Sequence, residues 1–238
     1  MDVEQQVNLL VSPSDYASFE VPNPVSGEPV TIYNLNRAKQ GQVDLLDTTV
    51  DYDLARVNYT GFEVSFAARL PNGANVFGGW SADQNVNVAC GSNDPNTIRY
   101  CDQSELDIPF RHDFKFNGSY PFPWGMSLGA TFQSYAGLPL MVNWNVPANL
   151  FPGGRTQSVT VNLVPPGSKY LERWNELDLS FHKRFRIGRY DIDTALDMFN
   201  GFNSNVVLQE NQNYGSSLGQ PQQILQGRLL RVSNQIKF

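Results

Sequence analysis

The 238 residues suffice for one large β domain or two small ones, and a composition of 41% hydrophobic, 17% charged and 12% aromatic residues lacks the charge excess of a disordered chain. No run of about 20 apolar residues occurs, which excludes a membrane-spanning helix; a mean hydropathy of −0.35 leaves a membrane-spanning barrel open, because lipid-facing and lumen-facing residues alternate along its strands. A net charge of −6, a pI near 4.9 and the lack of any Lys/Arg block argue against a nucleic-acid partner.

The chain opens on MDVEQQVNLL, which has two acids but neither the basic stretch nor the apolar core of a secretory signal. DVEQQVNLLV reads as the end of a strand, and the turn-rich stretch after it holds one short apolar run from Val30 to Tyr33. Residues 1–58 are therefore expected to form one long exposed loop with a partial strand, and residues 59–238 a succession of β-strands. Asp44, Asp47, Asp51 and Asp53 match no EF-hand spacing and read as a solvated loop.

From residue 58 onward, hydrophobic periodicity of two takes over. NYTGFEVSFAARL sets Phe62, Val64, Phe66, Ala68 and Leu70 on one face; Pro71-Asn72-Gly73 reverses the chain into a strand with Val76, Gly78, Trp80 and Ala82 on its apolar side. Cys90 and Cys101 follow in a polar stretch rich in turn residues. A disulfide closing this loop fits an oxidising compartment and adds roughly 2–3 kcal/mol by restricting the open chain; two free thiols are the alternative, and no nearby Cys or His completes a zinc site.

Next, PFRHDFKFNGSY places Phe110, Phe114, Phe116 and Tyr120 opposite Arg111, Asp113, Lys115, Asn117 and Ser119, and a short PFPWG reversal leads to MSLGATFQSYAG. A Pro/Gly-rich excursion spans Leu138 to Leu171. WNELDLSFHKRFRIG then alternates Leu177, Leu179, Phe181, Phe185 and Ile187 with Asp178, Ser180, His182, Arg184 and Arg186. Gly188-Arg189 turns the chain into YDIDTALDMFNGFN, with Ile192, Leu196 and Met198 against Asp191, Asp193, Ala195 and Asp197. Connections thus alternate between tight turns and long polar loops near residues 83–108, 137–172 and 203–223. Short periplasmic turns, long extracellular loops and strands long enough for a tilted bilayer crossing would give this pattern. Tyr59, Trp80, Tyr120, Trp124, Trp174 and Tyr190, near strand ends, are candidates for interfacial aromatic girdles.

The last residues, GRLLRVSNQIKF, form an alternating strand that runs to the final residue, with Leu230, Val232, Ile236 and Phe238 on one face and Arg231, Gln235 and Lys237 on the other. This stretch resembles the closing strand of a bacterial outer-membrane barrel, in which a terminal aromatic is part of the signal read by the barrel-insertion machinery. More broadly, NYTGFEVSFAARLPNG, PFRHDFKFNGSYPFPWG, the block from Trp174 to Asn205 and LLRVSNQIKF together resemble the carboxy-terminal part of a TonB-dependent outer-membrane receptor of the carboxypeptidase-regulatory-like, Oar-like type. Asp197, Phe199, Asn200 and Asn203 match the family's "DxFN, Asn-rich loop" pattern before the end.

The resemblance implies an all-β fold, an antiparallel up-and-down transmembrane β-barrel segment of about seven to eight strands, in the bacterial outer membrane. Family barrels have about 22 strands and a plug, so the chain is expected to be a piece whose parent holds the plug and the TonB-contacting segment. Its implied partners are outer-membrane lipid, the insertion machinery, TonB through regions outside this sequence, and an unknown solute. A complete small porin-like or adhesin-like barrel and a soluble carbohydrate-binding β-sandwich are the alternatives.

Candidate site residues on the polar faces are Arg111, Asp113, Lys115, His182, Arg184, Arg186, Asp191 and Asp193. The two arginines sit across a tight hairpin from the two aspartates, so cross-strand ion pairs are expected, with guidance of a polar solute as the functional version. Catalysis is not expected: Ser180 and His182 lie on one strand with backbones roughly 7 Å apart. No pattern calls for a cofactor or a metal, and no enzymatic activity is expected.

Overall fold

The computed structural model describes residues 3–155 and 158–238. Its strands, in chain order, are β1 (Val3–Asn8), β2 (Tyr16–Pro22), β3 (Pro29–Leu35), β4 (Leu45–Val50), β5 (Ala55–Arg69), β6 (Asn75–Ala89), β7 (Arg111–Phe122), β8 (Met126–Tyr135), β9 (Asn143–Val146), β10 (Val159–Asn162), β11 (Trp174–Ile187), β12 (Tyr190–Phe199), β13 (Val207–Glu210), β14 (Pro221–Ile224) and β15 (Leu229–Lys237). The fold is all-β, as the sequence predicts. Seven strands form one antiparallel sheet in the order β15-β12-β11-β8-β7-β6-β5, a meander that is open, with β5 and β15 at its edges.

Register bears out the faces read from periodicity. Phe181 lies opposite Leu128 on β8 and Leu196 on β12, and Leu196 opposite Val232 on β15. On the other face, Arg184 lies opposite Asp193, Arg186 opposite Asp191, and Asp197 opposite Arg231. A one-residue slip of any strand would exchange its two faces, so the matching pattern on seven strands fixes one pairing.

Tight turns after β5, β7 and β11 lie at one end of the sheet. Gly73 (φ 83°) and Gly188 (φ 60°) supply left-handed backbone at two of them. In the third, Trp124 itself adopts φ 63° and projects with 79% exposure. The long connections after β6, β8 and β12 lie at the other end, where the amino-terminal residues also enter β5.

This end differs from the expected exposed loops. Residues 1–58 do not form one long exposed loop: they contain the β2–β3 hairpin and the β1–β4 ribbon. The excursion after β8 contains the β9–β10 hairpin, and the loop after β12 contains β13–β14. Val21, Val30 and Ile32 pack against Trp144, Val146, Phe151, Val159, Val161 and Leu163 in a hydrophobic core, with Phe19 edge-on to Phe151 at 5.3 Å. We refer to this layer as the cap. It is expelled water, not local propensity, that holds two short hairpins together across more than a hundred residues of sequence.

Polar contacts tie the cap together. Asn96 accepts from Tyr33 N at 2.9 Å and donates to Tyr33 O at 2.9 Å, and Asn93 donates to the carbonyls of Asn8 and Val11. Both asparagines lie in the loop closed by Cys90 and Cys101, which are joined as a disulfide with Cα atoms 4.9 Å apart. Arg155 donates to Tyr33 O at 3.3 Å over the Phe151 ring, and its burial lowers the guanidinium pKa. Burial pushes the Tyr16 phenol up to about 12.

Candidate functional site

The contrast between the sheet's two faces places the candidate residues. One face is apolar and uncovered: Phe62, Val64 and Phe66 on β5, Phe181, Phe185 and Ile187 on β11, Leu196 on β12, and Leu230, Val232 and Ile236 on β15 are all exposed. The terminal strand is thus where the sequence puts it, and Phe238 ends the chain 97% exposed. Near the tight turns, Tyr120, Trp124 and Tyr190 add exposed aromatics. The girdle expectation fails for two others: Tyr59 and Trp174 have the parity of the polar face, where Trp174 stacks on Tyr135 at 4.6 Å. Trp80 lies mid-strand on the apolar face, stacked with Phe114 at 6.2 Å and donating to His112 Nδ1 at 3.3 Å.

The other face carries every predicted polar residue, in two groups. At the cap end, Asp113 accepts from Ala136 N at 2.8 Å and Arg111 donates to Ala136 O at 3.5 Å. Both are spent holding the start of the loop after β8. Lys115 stands over the Tyr135 ring, 5.0 Å from its centroid. At the turn end, Arg186 forks onto Asp191 at 2.9 and 3.3 Å, and Arg184 reaches Asp193 at 3.7 Å, so the expected cross-strand ion pairs form.

Two features went unforeseen. Asp197, although almost fully buried, binds Arg231 at 2.9 Å and accepts from the Ser180 hydroxyl. Its signal in the sequence is an acid and a base on the polar faces of strands that pair only once β15 is set beside β12. The second is that Ser180 Oγ lies 2.9 Å from His182 Nε2, and His182 Nδ1 lies 3.3 Å from Asp193 Oδ1. Backbone spacing overstated the separation, because both side chains lean toward each other on the same face. The order Ser–His–Asp is nevertheless not primed for attack: the one hydroxyl proton of Ser180 goes to the Asp197 carboxylate, a stronger acceptor than imidazole.

The Asp197-to-Asn203 motif has a structural role. Asn200, 1% exposed and in left-handed conformation at φ 49°, accepts from Ser204 N and donates to the carbonyls of Ser204 and Gln226, while its own N–H meets Asp178 Oδ1 at 2.9 Å. Asn203 accepts from Arg228 N at 3.1 Å. Both ends of the loop between β12 and β15 are thereby stapled, which delivers β15 to its place. Among the described residues no group of three or more His, Cys, Asp or Glu lies close enough to hold a metal ion; Asp47 lies in β4 and accepts from Gln6 at 3.2 Å.

The chain matches no protein-family model and no curated protein.

Proposed function

We propose that the chain is a wall segment of a transmembrane β-barrel in the bacterial outer membrane, part of a TonB-dependent receptor that takes up a scarce solute. The observation that carries this reading is the apolar face, exposed on all seven strands and, among the described residues, covered by no second sheet. A soluble β-sandwich would bury such a face against a partner layer about 10 Å away. In water an uncovered apolar sheet invites aggregation, whereas lipid is its natural solvent. From Phe62 on β5 to Leu70 just beyond it the apolar positions span roughly 27 Å along the chain, or about 21 Å of height at a tilt of about 40°, close to the apolar band of an outer-membrane barrel, about 25 Å tall.

In this orientation the tight turns are periplasmic, the cap is extracellular and the polar face lines the lumen. The open edges β5 and β15 would pair with further strands of the parent barrel, and β15 with its terminal phenylalanine would be read by the insertion machinery. The receptor assignment rests on the segments that resemble the family, to which the stapled Asp197–Asn203 motif belongs; the plug and the TonB contact would lie elsewhere in the parent. A complete small barrel would instead need β5 and β15 to pair with each other, and they do not. Fractionation of cells expressing the natural gene tests the reading: recovery with outer-membrane proteins is expected, and recovery with soluble proteins would overturn it.

A further inference from the structure

A cation at the cap-end margin of the apolar face is built into place. In register, Phe62 on β5 lies opposite Ala82 on β6, and Ala82 opposite His112 on β7. The next row toward the cap pairs Thr60 with Gln84, so the row of Phe62 and His112 is where the apolar band ends on these strands. Arg173, the residue ahead of β11, reaches this row from the other side. It donates to His112 O and, at 3.2 Å, to Ser134 Oγ, and its guanidinium lies over the Phe114 ring, 5.9 Å from the centroid. Ser134 lies opposite Phe114 and Phe114 opposite Trp80, all with the parity of the apolar side. Arg173 therefore stands on the outer side of the sheet, away from the polar face.

Its seat leaves it free to bind. Arg173 is exposed, and two of its five N–H groups are spent on the protein, which leaves three. Among the described residues no ion pair includes Arg173, not even with its chain neighbour Glu172. The carboxylates of β7 and β11, which are Asp113, Glu176 and Asp178, all have the parity of the polar face. His112 adds a donor. Trp80 Nε1 donates to its Nδ1 at 3.3 Å, with the two rings stacked, which puts the proton of the neutral imidazole on Nε2, an atom with no partner among the described residues.

Chemistry and position name the occupant. An arginine beside an apolar wall ordinarily swings its head out to water, because a guanidinium in hydrocarbon is costly. Here Phe114, Ser134 and His112 O hold it at the margin instead, and a fixed guanidinium fork is suited to the oxygens of a phosphate. Directly below it Val64, Trp80 and Phe114 continue the apolar face, which suits acyl chains and offers nothing to a free anion. Strands β7, β8 and β11 are interior to the sheet, so further strands added at β5 and β15 would leave the site open.

We propose that Arg173 and His112 bind the phosphate of a membrane lipid whose acyl chains lie along the apolar face below. The inference rests on the barrel reading, in which the cap is extracellular, and that reading makes the lipid a phosphorylated glycolipid of the outer leaflet. The site is on the opposite face from the lumen, so whatever fills the lumen does not cover it.

The test uses the protein at its natural full length in an uncharged detergent. Diphosphorylated lipid A and the same lipid freed of phosphate are the probes, and native mass spectrometry counts the lipid retained. Preference for the phosphorylated lipid is expected, weakened about tenfold by Arg173→Ala and by Arg173→Gln, which still donates to His112 O. Lys183→Ala, which removes a cation of the same face near the tight turns, should leave retention unchanged. Equal retention of the two lipids, indifference to Arg173→Gln, or an equal loss with Lys183→Ala would overturn the inference. So would displacement of the lipid by inorganic phosphate, which would mark a site for a free anion. Outer-membrane recovery without phosphate-selective retention rejects this inference alone; recovery in the soluble fraction rejects the barrel reading itself.

Discussion

The cap and the seven-stranded sheet solve the burial problem in opposite ways. In the cap, Val30, Ile32, Val146 and Val161 are at most 2% exposed and meet one another across two hairpins. In the sheet, Phe62, Phe181, Leu196 and Val232 are between 39% and 68% exposed, and apart from Val88 at the cap end of β6 its buried apolar residues, Ala55, Ala82 and Ala195, are small. No strand of the large sheet contributes to the described hydrophobic core. On the barrel reading proposed above, a chain that builds a water-expelling core in its loops yet leaves its larger strands bare on one side would meet two solvents, water around the cap and lipid around the sheet.

The comparison breaks most readily at the cap core. Ile32→Ala should cost about 4 kcal/mol of cap stability through lost burial and a cavity, read by denaturant unfolding of the protein in micelles; a near-neutral result would mean that the hairpins do not form a core. At the centre of the bare face, Leu196→Arg should cost about 3 kcal/mol in a bilayer. Measured by reversible folding into vesicles, that substitution would be almost silent if the face met water. The Cys90→Ser, Cys101→Ser pair should lower cap stability by about 2.5 kcal/mol, checked by thermal unfolding with and without reductant.

Smaller effects sharpen the boundary between the regions. Asn200→Ala removes a buried side chain with several hydrogen bonds and should cost about 2 kcal/mol, visible as faster proteolysis in the 200–228 loop. Tyr16 supplies a pH dependence. Its neutral form is favoured in the folded cap, so its contribution is whole below the unfolded tyrosine pKa near 10 and is lost as pH rises toward about 12. Cap unfolding followed from pH 9 to 12 should therefore be less pH-sensitive in Tyr16→Phe.

How much of this was legible in the sequence follows the same division. Strands β5 to β8, β11, β12 and β15 announce themselves because one face is mostly apolar over many residues, interrupted by Lys183, Thr194 and Asn234 among others, and period two then fixes face and register together. The cap hairpins are hidden: β9 and β10 have four residues each, and the partner of the Val30–Ile32 run lies more than a hundred residues away. At the polar face, the ion pairs of the β11–β12 hairpin are local and readable, but the Asp197–Arg231 pair waits on the pairing of β12 with β15.

The claim on which all else depends is that the two faces of the sheet meet different solvents. Single cysteines at positions 179 to 185 of β11, spin-labelled in the protein reconstituted into vesicles, test it directly. The account predicts a period-two profile: labels replacing Leu179, Phe181 and Phe185 collide with lipid-soluble oxygen, and labels replacing Ser180, His182 and Arg184 with a water-soluble nickel chelate. Equal access of the chelate to both sets would contradict it.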